Sequence, residues 1–218
     1  MKRIHVLSLV IVAIIFSGCA TANEPTGVWV NTEKFQGKSF HNVFIVVMTA
    51  DVEARSVLEN DLAAAAVAKG YKAVKSMDVL APTFSDPKAP SREEVVGKVK
   101  ESGCDAVLVS TLLKKEDAVR YTPGTTTYAP MATYSYYGNY YGYYSNYYQT
   151  VATNEYYAQD KSYFMQSNLY DAASEEIVWS VQSKIFNPSS LKSFSKTYTT
   201  TLIKQLEKEK AQTKKKKS

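Results

Sequence analysis

Two cysteines and a dense run of tyrosines are the residues of this chain whose type and spacing could do chemistry. The thiol of Cys19 ends the segment "FSGC" (16–19), whereas Cys104 stands alone in "SGCDAVLVS". The phenol side chains are concentrated in "TYSYYGNYYGYYSNYYQT" (133–150), where they could supply rigid, amphipathic contact area. A thiol can be acylated, oxidised or used as a nucleophile, and its sequence surroundings indicate which of these applies.

The residues before Cys19 have the layout of a secretory signal peptide. Lys2 and Arg3 provide a basic start, residues 6–16 form an apolar run, and small residues follow. That run is shorter than the about 20 apolar residues that span a bilayer. The order of basic, apolar and small residues is typical of an export signal, so we expect residues 1–18 to be cleaved. A retained membrane anchor helix is the less favoured interpretation.

The segment "FSGC" resembles the lipobox of bacterial lipoproteins, which places an apolar residue and two small residues before the cysteine. In that family the cysteine thiol carries diacylglycerol and the new N-terminus is acylated, so the resemblance implies lipidation at Cys19. Phe16 differs from the leucine that is usual at its position. Ala20 follows the cysteine, where an aspartate would favour the inner membrane, so the resemblance implies an outer-membrane lipid anchor that faces the periplasm. Several acyl chains anchor a protein far more stably than one, since each buried methylene adds about 0.8 kcal/mol.

The composition indicates one domain with a nearly neutral body. Without the signal, about 200 residues remain, which is enough for one domain with its own core. Much of the formal charge of +5 comes from Lys2, Arg3 and the lysine run at 214–217. The neutral body between them argues against a nucleic-acid partner. With Cys19 lipidated, Cys104 has no partner for a disulfide within the chain and is expected to be a small core residue.

Four regions are predicted from the local composition. Polar, turn-rich residues at 19–40 predict a flexible tether after the lipid. Residues 41–208 are predicted to form one α/β domain that contains a tyrosine-rich insertion at 121–160. The lysine-rich residues 209–218 are predicted to form a disordered tail.

The first half of the domain alternates predicted strands and helices. Continuous apolar runs at 42–49 and 105–113 are typical of strands that are buried on both faces, and residues 71–76 indicate a short strand. Helical patterns between them end at Gly70 and Gly103, where glycine favours a helix stop. Strands that alternate with helices in this order predict crossover connections on one sheet.

The second half predicts a hairpin and a final helix. Residues 161–171 and 175–186 read as two strands joined by a short turn. The predicted fold class is therefore α/β, a mixed sheet in the order βαβαβ, insertion, ββα, with helices packed on the sheet. The apolar stripe of the last helix comprises Leu191, Phe194, Tyr198, Leu202 and Leu206.

This layout resembles a group of bacterial envelope lipoproteins. The group includes the curli secretion lipoprotein, the lipoprotein activators of penicillin-binding proteins and the N-terminal domain of the Tol–Pal translocation protein. The segments "ESGCDAVLVSTL" (101–112) and "LYDAASEEIVWS" (169–180) carry the resemblance. They look even more like a family of lipoproteins of unknown function that also has a Tyr/Gly-rich insertion. A shared fold does not transfer an activity.

None of the common catalytic motifs is present in the sequence, since it lacks a Gly-rich phosphate loop, a nucleophile elbow, HExxH and paired CxxC. After signal removal, His41 is the one available histidine base, and its place before a strand favours a surface role. Glu53, Glu59 and Asp61 could pair as acid and base, but their helical setting favours a solvated face. We therefore expect no catalytic residue, no cofactor and no metal site.

The tyrosine pairs recur at helical spacing, although glycine, asparagine and serine between them are poor helix formers. Three interpretations stay open: a mobile low-complexity insertion, a protein-contact patch, and stacking on an envelope glycan. We favour binding of an envelope protein partner, with peptidoglycan or another envelope glycan as the alternative. The contact residues are expected to be Tyr136, Tyr137, Tyr140, Tyr141, Tyr143, Tyr144, Tyr147 and Tyr148.

Replacement of Cys19 tests the lipidation. Cys19→Ser removes the acylated thiol, so we expect the protein to lose its lipid and to leave the membrane fraction. Growth with radioactive palmitate followed by immunoprecipitation measures the lipid. Cys104→Ser is the matched control, because it removes the other thiol and leaves Cys19 intact. Radioactive lipid in the Cys19→Ser protein would show that the lipobox assignment is wrong.

Overall fold

A computed structural model describes residues 24–49, 51–80, 91–117 and 161–215. These residues form a six-stranded mixed sheet with helices packed on both faces, which confirms the predicted α/β class. The strands are β1 (Glu24–Val30), β2 (Asn42–Met48), β3 (Lys72–Lys75), β4 (Ala106–Asp117), β5 (Lys161–Asp171) and β6 (Ile177–Phe186). The helices are α1 (Thr32–Gly37), α2 (Val52–Ala68), α3 (Ser76–Val79), α4 (Arg92–Glu101) and α5 (Leu191–Lys215).

The strand order across the sheet is β1-β6-β5-β4-β2-β3. Strand β2 runs parallel to β3 and β4, as expected for strands joined by helical crossovers. The pairs β4–β5, β5–β6 and β1–β6 are antiparallel. The sheet therefore joins a parallel half, built from the first part of the domain, to an antiparallel half built mostly from the last part.

Local signals start and stop the helices where the sequence predicts. The Asp51 carboxylate accepts a hydrogen bond from the Ala54 N–H at 3.0 Å, and the Ser91 hydroxyl accepts one from the Glu94 N–H at 3.2 Å. Such caps satisfy donors that the first helical turn leaves unpaired. Gly103, with a φ of 63°, follows the end of α4 in the left-handed conformation that glycine adopts at low cost.

Helices α2 and α5 cover one face of the sheet. Their side chains Leu62 and Tyr198 pack in one buried cluster with Ile45, Trp179 and Val181 of the strands. The stripe predicted for the last helix is confirmed, since all of its members lie in or against this cluster. On the other face, valines of α4 pack against β2 and β4. The members of that second contact are Val95, Val96, Val99, Phe44, Val46, Val107 and Val109.

The predicted tether is wrong from residue 24 onward. Strand β1 pairs with β6, with Val30 opposite Trp179, and Val28 and Val30 pack against the core. Helix α1 then buries Phe35 in the same cluster. The polar composition of this stretch concealed a strand because most of its burial comes from β6, which lies about 150 residues later in the chain.

The predicted disordered tail is wrong as far as residue 215, because α5 continues to Lys215. Lysine, glutamate, glutamine and alanine are good helix formers, so a charged composition does not end a helix that has begun on an apolar stripe. Gln205 donates a hydrogen bond to Glu209 at 2.7 Å, and the Lys210 ammonium lies 4.6 Å from the centre of the Tyr71 ring. Residues 216–218 lie outside the described residues.

Truncation of the buried tryptophan tests the packing of the hairpin. Trp179 is fully buried beneath α5, so Trp179→Ala should lower the free energy of unfolding by ~3–5 kcal/mol. Phe186→Ala is the control, because Phe186 is 43% exposed on the same strand and its truncation should cost far less. Urea denaturation measures both values, and equal losses for the two variants would contradict the observed orientation of β6.

Candidate functional site

The predicted lipidation site and the predicted tyrosine contacts lie outside the described residues. Cys19 precedes the start of β1 at Glu24, and all eight tyrosines lie between the end of β4 at Asp117 and the start of β5 at Lys161. The described residues therefore fix where the chain arrives from the predicted lipid and where it departs into the insertion.

The chain arrives from the predicted lipid and departs into the insertion at the same end of the sheet. Glu24 pairs with Lys184, Lys184 pairs with Phe164, and Phe164 pairs with Lys114, so these residues form one row across four strands. We name this end, which bears Glu24, Asp117, Lys161 and Phe186, the entry end. The opposite end, at the beginning of β2 and β4, is named the far end.

At the entry end β4 and β5 extend beyond β2, whereas β6 stays paired with β5 as far as Phe186. Strand β2 stops at Met48, opposite Thr111, whereas β4 continues to Asp117 and stays paired with β5 as far as Lys161. This strand is longer than the predicted 105–113, because cross-strand pairing extends it through the charged residues Lys114–Asp117. At a rise of about 3.3 Å per residue, β4 spans about 36 Å.

Glu59 is buried, which corrects the prediction that it lies on a solvated helix face. Its carboxylate accepts hydrogen bonds from the Val47 N–H at 3.1 Å, the Met77 N–H at 3.0 Å and the Ser76 hydroxyl at 2.6 Å. Arg55 donates to it at 3.1 Å as an ion pair one helical turn away. These contacts tie α2 to β2 and α3, so the carboxylate is engaged in holding the fold together.

The other two carboxylates of α2, those of Glu53 and Asp61, differ in their contacts. Glu53 is exposed, as predicted. Asp61 accepts a hydrogen bond at 2.6 Å from the hydroxyl of Ser195, which connects α2 to α5 and corrects the prediction of a solvated side chain. The three acidic residues therefore do not come together as an acid–base pair.

His41 lies on the surface of the domain, whereas Cys104 lies in its core. His41 is exposed before β2, and its backbone N–H donates to the carboxylate of Asp105 at 2.9 Å. Cys104 packs in the second core cluster, which confirms the predicted core position. Burial, and to a lesser extent the charge of Asp105, raises the pKa of its thiol to about 11. The thiol is therefore protonated at neutral pH and is a poor nucleophile.

Strands β5 and β6 carry buried polar side chains that the sequence analysis did not single out. The amide oxygen of Asn168 accepts hydrogen bonds from Ser180 at 2.5 Å and from Gln166 at 3.2 Å, and its amide nitrogen donates to Tyr170 at 3.0 Å. The signal was present in "MQSN" (165–168), which breaks the apolar pattern in the middle of a predicted strand. Buried networks of this kind favour one strand register.

A shallow cleft of about 330 Å³ lies between the end of α2 and the second half of α5. Its polar groups contact one another: Lys69 pairs with Glu207 at 2.5 Å, and Lys210 donates a hydrogen bond to the hydroxyl of Tyr71. Within the described ranges, no cluster of three or more histidine, cysteine or acidic side chains could hold a metal ion. Of the helices described, none is both long and apolar enough to cross a membrane.

The sequence matches no protein-family profile and no curated protein sequence. Among solved structures, a variant of the PelC dodecamer from Paraburkholderia phytofirmans is 12% identical, with a TM-score of 0.42 over 83% of this chain and 94% of that chain. A second PelC dodecamer structure from that organism is 11% identical, with a TM-score of 0.39 over 81% and 90%. The lipoprotein GNA1162 from Neisseria meningitidis is 14% identical, with a TM-score of 0.40 over 77% and 99%. Similarities this distant carry no functional argument.

The pH dependence of stability can test the contacts of Asp171, which lies at the far end of the sheet. Burial opposes ionisation of its carboxyl, but hydrogen bonds from Lys38 and Ser174 outweigh that effect and hold its pKa below the ordinary value. A lowered pKa stabilises the fold above the ordinary aspartate pKa of about 3.9, and this stabilisation is lost as the pH falls through the folded-state pKa.

At neutral pH the native chain should therefore have a higher free energy of unfolding than the Asp171→Asn variant. This difference should shrink below about pH 4. Asparagine keeps an acceptor for the Ser174 N–H, so this substitution removes mainly the charge. Urea denaturation at several pH values between 3 and 7 measures the difference, in buffers of equal ionic strength. A difference that stays constant over this range would contradict the role assigned to the Asp171 charge.

Proposed function

We propose that this chain is a lipoprotein of the bacterial envelope that is anchored through Cys19 in the outer membrane and faces the periplasm. It binds an envelope protein partner through the tyrosine-rich insertion and catalyses no reaction. The observation that supports this proposal most directly is the β4–β5 pairing, which continues to Asp117 and Lys161, the two residues between which the insertion at 121–160 lies.

This pairing makes residues 118–160 the connection of a hairpin. A hairpin of two antiparallel strands needs a loop of only about two to five residues, so the sheet does not require so long a connection. Long connections in compact domains are usually functional or serve as linkers. Tyrosine offers large, rigid, amphipathic area at low entropic cost, which suits contact with another protein.

The state of the acidic and thiol groups supports a non-catalytic role. Glu59 and Asp61 are hydrogen-bonded within the fold, and the raised pKa of Cys104 keeps its thiol protonated. A general acid or base must reach a substrate with a proton to give or take, and these groups are engaged elsewhere.

Replacement of residues 125–157 by a short turn tests the role of the insertion. Since loop closure depends only logarithmically on loop length, we expect the deletion protein to fold and to stay in the membrane fraction. Crosslinking in solubilised envelopes, followed by co-purification, should recover less of the protein partner. Thermal unfolding and membrane fractionation are measured in parallel.

A matched variant keeps the length of the insertion and changes the eight paired tyrosines to serine. It should lose the partner to the same extent as the deletion protein if the phenol rings make the contact. The glycan alternative predicts instead that both variants lose binding to purified peptidoglycan in the absence of any other protein. A deletion protein that does not fold would place the tyrosines in the core and overturn both binding proposals.

A further inference from the structure

We infer that the entry end of the sheet lies on the lipid bilayer, with Phe186 in the headgroup region and the lysines around it facing the lipid phosphates. This inference rests on the proposed lipidation of Cys19. It concerns a surface of the folded domain itself, separate from the binding surface assigned to the insertion.

Only a short length of chain connects the predicted lipid to the sheet. Five Cα-to-Cα steps separate Cys19 from Glu24, and even a fully extended chain covers at most about 18 Å in that number of steps. Strand β1 starts at the entry end and runs toward the far end. The lipid therefore holds the entry end close to the membrane, whereas the far end is about 36 Å further along β4.

The entry end presents an exposed phenylalanine. Phe186 is 43% exposed and lies opposite Ser162, in the outermost part of the β5–β6 pair. Among the residues described, one other large hydrophobic side chain is exposed, Val67, near the far end where α2 stops. An exposed phenylalanine is ordinary on a protein surface, but at the end nearest a lipid anchor it can insert among headgroups at little cost.

The entry end also carries several lysines. The Lys184 ammonium lies 5.3 Å from the centre of the Phe164 ring, Lys114 pairs with Glu116, and Lys192 is exposed at the start of α5. Lysine side chains at a membrane surface lay their aliphatic stems along apolar groups and direct the ammonium toward phosphates. Among the described residues, the charged side chains of the entry end include Lys114, Lys115, Lys161, Lys184, Lys192 and Glu116.

The alternative orientation would place the open edge of β1 along the membrane. In that case Phe186 and Val67 would lie at more similar depths, because the strand axes would run parallel to the bilayer plane. The two orientations therefore differ in the relative lipid exposure of these two side chains. Their separation along the strand direction is about 33 Å, since Phe186 shares the row of Glu116 and Val67 lies near the row of Ala106.

Depth measurement on the lipidated full chain tests the inference. Phe186→Cys and, as the matched control, Val67→Cys are each made together with Cys104→Ala, so that one thiol takes a fluorescent label while Cys19 carries lipid. Each protein is placed in vesicles of phosphatidylethanolamine and phosphatidylglycerol at 3:1 that contain nitroxide-labelled lipid. We expect the label at 186 to be quenched several-fold more than the label at 67.

Equal quenching at the two positions, or stronger quenching at 67, would overturn the end-on contact while leaving the lipoprotein proposal intact. Protein that does not sediment with the vesicles would overturn the lipid anchor, and the contact with it. A second pair of variants tests whether Phe186 itself makes the contact. Both carry the label at Lys192→Cys, and one of them also carries Phe186→Glu. The label should be quenched less in the variant with Phe186→Glu, although that protein still sediments with the vesicles. Unchanged quenching in that variant would show that Phe186 does not hold the entry end on the bilayer.

Discussion

The antiparallel pairing of β4 with β5 is the interaction on which the rest of the structure depends. It joins the parallel strands β2 and β3 on one side to β6 and β1 on the other. At its centre, the hydroxyls of Ser110 and Ser167 lie 3.1 Å apart, and Ser167 also hydrogen-bonds to Tyr198 of α5. These groups are buried, so a shifted register would leave polar atoms unsatisfied at about 1–3 kcal/mol each.

Two buried carboxylates also hold elements of the domain together. The buried carboxylate of Glu59 holds α2, β2 and α3 together, and Asp171 holds the turn between β5 and β6 through the N–H groups of Ala173 and Ser174. Both carboxylates are thus engaged by hydrogen bonds within the fold. At the entry end the β4–β5 pair extends beyond β2 by the residues after Thr111, and its last pair is Asp117 with Lys161.

Much of this architecture could be predicted because its elements carry their own local signals. Strand β5 has the predicted bounds 161–171, and Tyr198 lies on the predicted stripe of α5. Strand β1 and the burial of Glu59 could not be predicted, since each depends on partners supplied by distant chain segments, Trp179 for the strand and Ser76 for the carboxylate. The lipidation of Cys19 and the role of the tyrosines lie outside the described residues and stay predictions.

The long connection between β4 and β5 also governs the order in which the sheet assembles. Strands β5 and β6 and helix α5 are neighbours in sequence and can form together from local contacts. The central pairing must instead close a loop of ~43 residues, which costs about 2 kcal/mol more in chain entropy than closing a four-residue turn. Non-local pairing of this kind slows folding more than it changes final stability. The unit of β5, β6 and α5 is therefore expected to form before it pairs with β4, because that pairing requires the closure of this loop.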